Sequence, residues 1–458
     1  MAGENEGEYF GIRYLNSKYN IVEIFTEKDS VSLPVATPAE GGMYYIRRIG
    51  ADDNYNYGTL CKKAPNLKTI TVPETYNSVG IRWSSNPIIN LHMQGDVPST
   101  YWSLSSSMNV YVAKSYYSNY TNNSSWNSAS ILPDGWDFEW MTVNVGRKGE
   151  FAQTYIEMTD ANWGLGMYVK VTGALNSTDL DNIDNLTNLM KLDLSEAEIS
   201  ELPSSFLSSK TSLIEVILPN SLTSIPSSAF YSCKNLQKVV ANGVTTIGSS
   251  AFENCTKLTH FDISNVTTIN TEAFYGCSMF NPSSFSSELK SLGTYAFYNS
   301  GITEVTIPSN VTTINSSVFS NCKNLRKVTL PNTVTSIGSS AFSNCTALVE
   351  INLPEGITTI YNSAFYYCSK LTEITLPSTL QTIESDVFDG CTSLLTLKCK
   401  AIVPPVTTGE FTYNIDLNHC TLYVAPFAID AYREADNWNS FYIMKPLNEP
   451  VKKIYISR

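Results

Sequence analysis

The amino-acid sequence predicts a β-rich α/β solenoid, a right-handed superhelix of 22–23-residue units with short strands and single helical turns, arranged as two capped arrays. Three observations predict it. A Phe recurs at positions 230, 252, 274, 297, 319, 342, 365 and 388, at intervals of 22 or 23 residues. Three residues after each Phe stands Cys233, Cys255, Cys277, Cys322, Cys345, Cys368 or Cys391, with Ser300 filling the slot in the remaining copy. A non-repeating frame, a Tyr followed six residues later by a Trp, occurs once near the end of the first quarter of the chain, at Tyr120 and Trp126, and again near its end, at Tyr432 and Trp438.

Each unit reads L-x-x-(I/V)-x-L-P-x-x-(V/L)-T-x-I-x-x-x-A-F-x-x-C-x-x, clearest from Val334 to Cys345 and on through Leu348 to Pro354. Leu-x-x-Ile-x-Leu has the spacing of a short strand, and Pro stops it because it lacks the N–H a ladder needs. Thr-x-Ile suggests a second short extended piece, and the stretch around Ala-Phe-x-x-Cys is expected to form one helical or 3₁₀ turn. No unit can bury its apolar side alone, so successive units must stack and share one continuous core. On these residues the units resemble the BspA-like, or Treponema pallidum-type, leucine-rich repeats of bacterial surface proteins. The match spans about Leu213 to Leu397 in at least eight consecutive copies, with weaker flanking segments. One copy departs: Ser278 to Leu292 carries a looser insert, Phe280-Asn-Pro-Ser-Ser-Phe, and a local irregularity is expected there.

In chain order, Phe10 to Gly50 resembles the strand hairpin that opens arrays in this family and would cover a first rung. Leu60 to Pro73 overlays Ala341 to Pro354, so the short stretch holds a repeat of its own. Leu91-His-Met, Met108-Asn-Val-Tyr-Val-Ala-Lys, Tyr120 and Trp126 align with Leu397-Lys-Cys, Cys420-Thr-Leu-Tyr-Val-Ala-Pro, Tyr432 and Trp438 as two copies of a C-terminal cap. Residues 1–135 are therefore expected to form a small leucine-rich repeat array with an opening hairpin and a cap. Residues 136–458 are expected to form a long one, with an opening segment at 137–190, repeats over about 190–397 and a cap at 398–447. In that opening segment Val143 to Phe151 and Val169 to Asp179 resemble the family's second kind of start, with a short helix at Asp179–Leu186. Caps of this kind blunt open sheet ends that otherwise invite edge-to-edge pairing.

Composition narrows the partners. With 42 acidic against 30 basic residues the net charge is -12, which opposes sequence-independent binding to phosphate backbones or anionic lipid, so no nucleic-acid partner is expected. No apolar run approaches the roughly 18 residues that cross a bilayer, so no membrane insertion is expected. Only 16% of residues are charged while Ser, Thr, Asn and Tyr abound, a neutral polar surface typical of exported β-rich proteins. The start, Met1 to Glu8, has neither a basic nor an apolar signal region and reads as a chain beginning after a removed signal, which places the protein outside the cell or on its surface.

The recurring Cys residues are expected as one buried column of reduced thiols, since rungs stack about 4.8 Å apart and free Cys packs like a small hydrophobe. A disulfide between adjacent rungs fits the same spacing and remains the alternative. Cys399 and Cys420 replace Met93 and Met108 of the first cap together, which suggests neighbours, either disulfide-bonded or touching as thiols. Zinc wants paired Cys-x₂₋₄-Cys or nearby His, and no Asp-x-Asp-x-Asp-Gly loop marks calcium, so neither a metal nor a cofactor is expected.

Two surfaces stand out as candidate binding sites. Outward positions of successive strands should stack into a row, giving a candidate ligand-binding strand face of Lys238, His260, Asp262, Glu304, Lys327, Glu350, Asn352 and Glu373. Tyr55, Tyr57, Tyr101, Trp102, Tyr116 and Tyr117 have no place in the repeat or cap frames and make up a candidate aromatic patch. Both have bland readings, a solvated face and packing of the small array, with pairs such as Lys327 and Glu350 serving as surface ion pairs. The histidines, His92, His260 and His419, lie far apart in repeat or cap frames, and no nucleophile, metalloprotease or phosphate-loop motif occurs, so no enzyme is expected. What the family resemblance implies is adhesion or recognition of a host or neighbouring-cell protein, matrix or glycan. A structural spacer or assembly module is the alternative, and a glycan-processing enzyme a distant third.

Overall fold

The computed structural model describes, within the first 139 residues, the strands named below and Tyr120, and beyond them residues 140–159 and 167–447. The chain divides into two compact units, Met1–Glu139 and Trp140–Arg458.

In the first unit, Glu8–Asn16 and Tyr19–Thr26 form an antiparallel hairpin. Its second strand continues in parallel through Met43–Ile49, Ser78–Val79 and Ser99–Thr100. A second, wholly parallel sheet stacks Ser30–Ser32, Thr69–Val72, Asn90–Met93, Asn109–Val112 and Ser130–Pro133. Alternate residues of two of these strands, Leu91 and Met93, then Val110 and Val112, are buried together with Tyr120, the period-2 pattern of strands with one face on a core. Trp126 falls outside the described residues.

The second unit opens with Met141–Val145 laid parallel to Tyr168–Ala174. Between them runs a helix, Phe151–Thr159, that repeat spacing did not predict. Another helix, Ser177–Asp184, begins two residues ahead of the expected position. Its N-terminus explains the shift: Asn176 and Asp179 close a reciprocal capping box, which fixes Ser177 as the first helical residue. The fully buried Asp179 carboxylate also accepts from the backbone N–H groups of Gly149 (2.7 Å) and Phe151 (2.9 Å), so one side chain ties both helix starts to the first rung.

From there the chain winds as a parallel solenoid with two ladders. One carries the longer strands: Lys191–Asp193, Glu215–Ile217 and Lys238–Val240, then Glu304–Thr306, Lys327–Thr329 and Glu350–Ile351, then Glu373–Leu376, Thr396–Cys399, Thr421–Val424 and Ile443–Pro446. The other is built from the Thr-x-Ile pieces, Ser224–Ile225 through Ser291–Leu292 and Thr313–Ile314 through Val406–Thr407. Between the ladders the Phe residues stand in one column. Rings of Phe230 to Phe388 follow each other at 5.2 to 5.8 Å, nearly parallel, and all are fully buried.

The turn that carries each Phe has the i→i−3 hydrogen bonds of a 3₁₀ turn, such as Cys233 N–H to the Phe230 carbonyl, but does not run on as a helix. Residues two before and two after each Phe take positive φ, for example Ser340 (55°) and Asn344 (58°) around Phe342. Left-handed residues reverse the chain locally, so alternate N–H groups point along the solenoid axis. Ser340, Phe342 and Asn344 donate in turn to the carbonyls of Asn362, Ala364 and Tyr366 on the next rung. Ser, Asn and Gly dominate those slots because they tolerate this conformation at least cost.

The repeat Cys residues are buried free thiols, and each donates to a backbone carbonyl at the preceding rung, as Cys345 Sγ does to Phe319 O (3.1 Å). Burial pushes the thiols of Cys233, Cys255, Cys277, Cys345 and Cys368 up, and that of Cys322 to about 11. Cys399 and Cys420 depart from expectation. Thr396 pairs with Thr421 and Leu397 with Leu422, so Cys399 stands level with Val424 and Cys420 with Leu395. Four strand residues, roughly 13 Å at 3.3 Å each, separate the two thiols along the ladder, well past disulfide reach. Cys399 instead receives a hydrogen bond from Tyr432 Oη (3.0 Å) inside the cap, where Trp438 donates to the Pro405 carbonyl (2.9 Å) and packs edge-on against Tyr432.

Candidate functional site

The strand ladder brings the predicted row together as a stack. Tyr168, Lys191, Glu215 and Lys238 are paired rung on rung, and Lys238 bridges onward to His260. After a gap, Glu304, Lys327 and Glu350 are paired in the same way. Glu373 lies across from Thr396 in the next sheet. Alternation along each strand turns these side chains outward while Val216, Val239, Val305, Val328 and Ile374 face the core.

Neighbouring charges already satisfy much of the row. Glu215 sits between Lys238 (2.7 Å) and Lys191 (3.2 Å), and Lys191 also rests over the Tyr168 ring at 4.8 Å. Burial works to raise the Glu215 carboxyl, but hydrogen bonds from Lys238 and Lys191 outweigh it and hold the group below the ordinary range. Lys327 is held by Glu350 at 2.7 Å, and Glu373 by Lys398 at 3.2 Å. Asn352 is put to structural use: its side-chain amide bonds both the N–H and the carbonyl of Leu330 at 2.9 Å, standing in for a ladder bond. Asp262 caps its own turn through Ser264, and His260 contacts Thr259. Glu304 is the exposed carboxylate of this row for which no hydrogen bond or ion pair forms among the described residues. The six aromatic candidates, Tyr55, Tyr57, Tyr101, Trp102, Tyr116 and Tyr117, lie outside the described residues.

Lys191 and Glu215 escaped the sequence reading because their rungs precede the first Ala-Phe-x-x-Cys turn, the landmark that numbered the row. A second feature escaped as well. Residues 282–286, one repeat on from His260, do not form a strand, and among the described residues no hydrogen bond joins them to Glu304, Val305 or Thr306. A groove of about 420 Å³ opens there, lined by Pro282, Phe285, Ile302, Glu304, Thr306 and Lys327 among others. Only the register of the ladder reveals it, since sequence spacing reports an insert but not where its backbone goes.

Among the described residues no cluster of three or more His, Cys, Asp and Glu side chains is arranged to hold a metal, and no helix is long and apolar enough to cross a membrane. The closest His–carboxylate contact, His419 Nδ1 to Asp416 at 2.6 Å, is solvent-exposed on a cap loop.

A family model described as BspA type leucine rich repeat region matches residues 200–326 and 290–418, as six copies. No curated protein matches the chain. Among solved structures, a leucine-rich repeat protein from Bacteroides ovatus is similar at 17% identity over 97% of this chain and 99% of that one, with a TM-score of 0.42. The Treponema pallidum leucine-rich repeat protein is 22% identical over 41% of this chain and 79% of its own, with a TM-score of 0.30. A leucine-rich cell surface protein from Faecalibacterium prausnitzii is 17% identical over 87% of this chain and 94% of its own, with a TM-score of 0.31. The Phe and Cys columns, the parallel ladders and the family match agree over that stretch: residues 200–418 of this chain are a BspA type leucine-rich repeat region.

Proposed function

We propose that this protein is a non-catalytic recognition or adhesion protein, exported to the bacterial surface or beyond it, that binds a host or neighbouring-cell protein or glycan through the outward face of its strand ladder. The observation that carries this reading is the stack of outward side chains from Tyr168 to Thr396, held in register by a rigid parallel ladder and interrupted by a groove. A solenoid offers a partner such a face, because one rung repeats the geometry of the last. The family match over residues 200–418 supports a surface location. On this reading residues 1–135 form a short capped array and 136–458 a long one, two separately usable surfaces.

The test is a binding screen against immobilised host matrix proteins and a glycan panel at physiological salt, with the intact chain. Saturable binding that weakens when Glu350 and Glu373 are reversed to Lys is expected. Binding to none of them would turn attention to the second reading, a spacer or assembly module. That reading is favoured by the apolar side chains exposed in the C-terminal cap region, Val403 (76% exposed), Phe427 (75%) and Tyr442 (82%), which would support self-association. Its signature would be concentration-dependent mass in sedimentation, abolished by Phe427→Asp.

A further inference from the structure

We infer that the groove at residues 282–286 is a strand-acceptor site that takes up an extended segment of a partner polypeptide carrying a basic residue. This rests on the recognition reading above and names its partner's chemistry. In mid-sheet a strand is hydrogen-bonded on both sides, as Glu215–Ile217 is by Lys191–Asp193 and Lys238–Val240; the ladder is also interrupted between Glu350–Ile351 and Glu373–Leu376, but there both flanking rungs are strands. Glu304–Thr306 is bonded on one side alone, by Lys327–Thr329, and is the edge of its sheet. On its other side the chain offers only a side-chain contact, Asn281 to Thr303 at 3.2 Å. The backbone groups of Glu304 and Thr306 that face the groove are thus without the partner their counterparts have, and an open strand edge is a template for another chain.

Position 282 accounts for the breach. One repeat before it stands His260 and one after it Glu304, both on the outward row, but Pro282 has no N–H to give the ladder. Its neighbour Ser283 is exposed, where the equivalent positions carry the buried Phe261 and Val305. With a serine at the strand-anchor position the rung does not join the ladder, although Phe280 stays in the core, and Ile302, Val305 and Phe285 line the space left there.

Charge selects the occupant. Glu215, in the first sheet of this column, is flanked by a Lys above and below. Glu304 has Pro282 on one side and on the other Lys327, which is bonded to Glu350. The groove therefore presents, beside unpaired strand edge, a carboxylate whose one flanking cation, Lys327, is shared with Glu350, and its complement is a strand with Lys or Arg at the level of Glu304 and an apolar residue next to it, the pattern of Lys238 and Val239.

A fluorescein-labelled peptide copying residues 236–241, acetyl-Leu-Gln-Lys-Val-Val-Ala-amide, tests this by anisotropy with the intact protein. Saturable binding is expected, weakened about tenfold by Glu304→Lys and by a peptide with Glu in place of Lys. The double variant Pro282→Lys with Ser283→Val should re-knit the ladder, raise the Tm and abolish binding. No saturable binding, or binding that neither the charge reversals nor the re-knitted rung reduces, overturns the proposal. If the double variant fails to fold, Glu304→Lys, an exposed substitution, decides alone. A silent peptide beside a positive matrix or glycan screen would sink this inference and leave the recognition reading standing, and the reverse pair of results would do the opposite.

Discussion

The rung at Lys327–Thr329 and the rung at residues 282–286 belong to repeats that differ in length by a single residue, yet one is knitted into the ladder on both faces and the other on neither. In the first, Val328 drops into the core, and every N–H along the strand side has a carbonyl to meet. In the second, the apolar anchor is a serine and the column residue a proline. Stability in a solenoid is close to a sum of nearest-neighbour interfaces, so one poor rung weakens two interfaces without unravelling the rest. The Phe column shows why the array survives: Phe274, Phe280 and Phe297 stay stacked beneath the breach at 4.6 to 5.2 Å. What the difference teaches is that the column holds the rungs together, while the strand anchor decides whether a rung's outer edge is closed.

Substitutions can break or sharpen this contrast. The largest effect is expected from Phe342→Ala, which empties a fully buried slot between two stacked rings and should cost about 3–5 kcal/mol in urea unfolding. Phe285→Ala, a half-buried ring at the rim of the groove, should cost under about 2 kcal/mol. Equal losses would erase the distinction. Next comes thiol alkylation at neutral pH. Burial shields the column thiols from reagent, so native labelling should run at least about a hundredfold slower than in denaturant. Fast native labelling of the thiols on the two sides of the breach, Cys277 and Cys322, would mean the column is open there too.

A smaller effect belongs to the fully paired carboxylate. Glu215 is held below the ordinary range when folded, so its contribution is present above the unfolded value and is lost as pH falls through the folded one. Glu215→Gln should remove up to about 1 kcal/mol at neutral pH and flatten the acid limb of the stability curve. An unchanged acid limb would show that the two lysines do no more than hover nearby. Smallest of all, the exposed Lys327–Glu350 pair should show no coupling above error in a double-mutant cycle at high salt.

Much of this was legible in the amino-acid sequence, for a physical reason. Core positions are selected by size and apolarity at a fixed period, so Phe230 through Phe388 and their Cys partners announce the column, and the outward residues between them follow by alternation. Backbone properties leave fainter marks. The left-handed residues around each Phe are Ser, Asn, Gly, Tyr, Glu or Asp, a mixture with no single signature. The reading of Cys399 and Cys420 as neighbours rested on their joint replacement of Met93 and Met108. The register instead sets Cys399 and Cys420 one rung and four residues apart, for Leu397 is level with Leu422, while Met108 lies outside the described residues. Of the candidate site, the row was visible and the groove was not, because a hydrogen bond that fails to form leaves no residue behind to be read.

The ladder's direction has a mechanical consequence. Strand, Thr-x-Ile and Phe-turn hydrogen bonds all run from one rung to the next, along the axis of the long array. Tension on the chain ends would therefore peel rungs singly, each releasing about 75 Å of chain in place of a step of about 4.8 Å. Residues 282–286, already unlinked on the strand side, would be where such a tether yields first, lengthening under load while the rungs on either side stay folded.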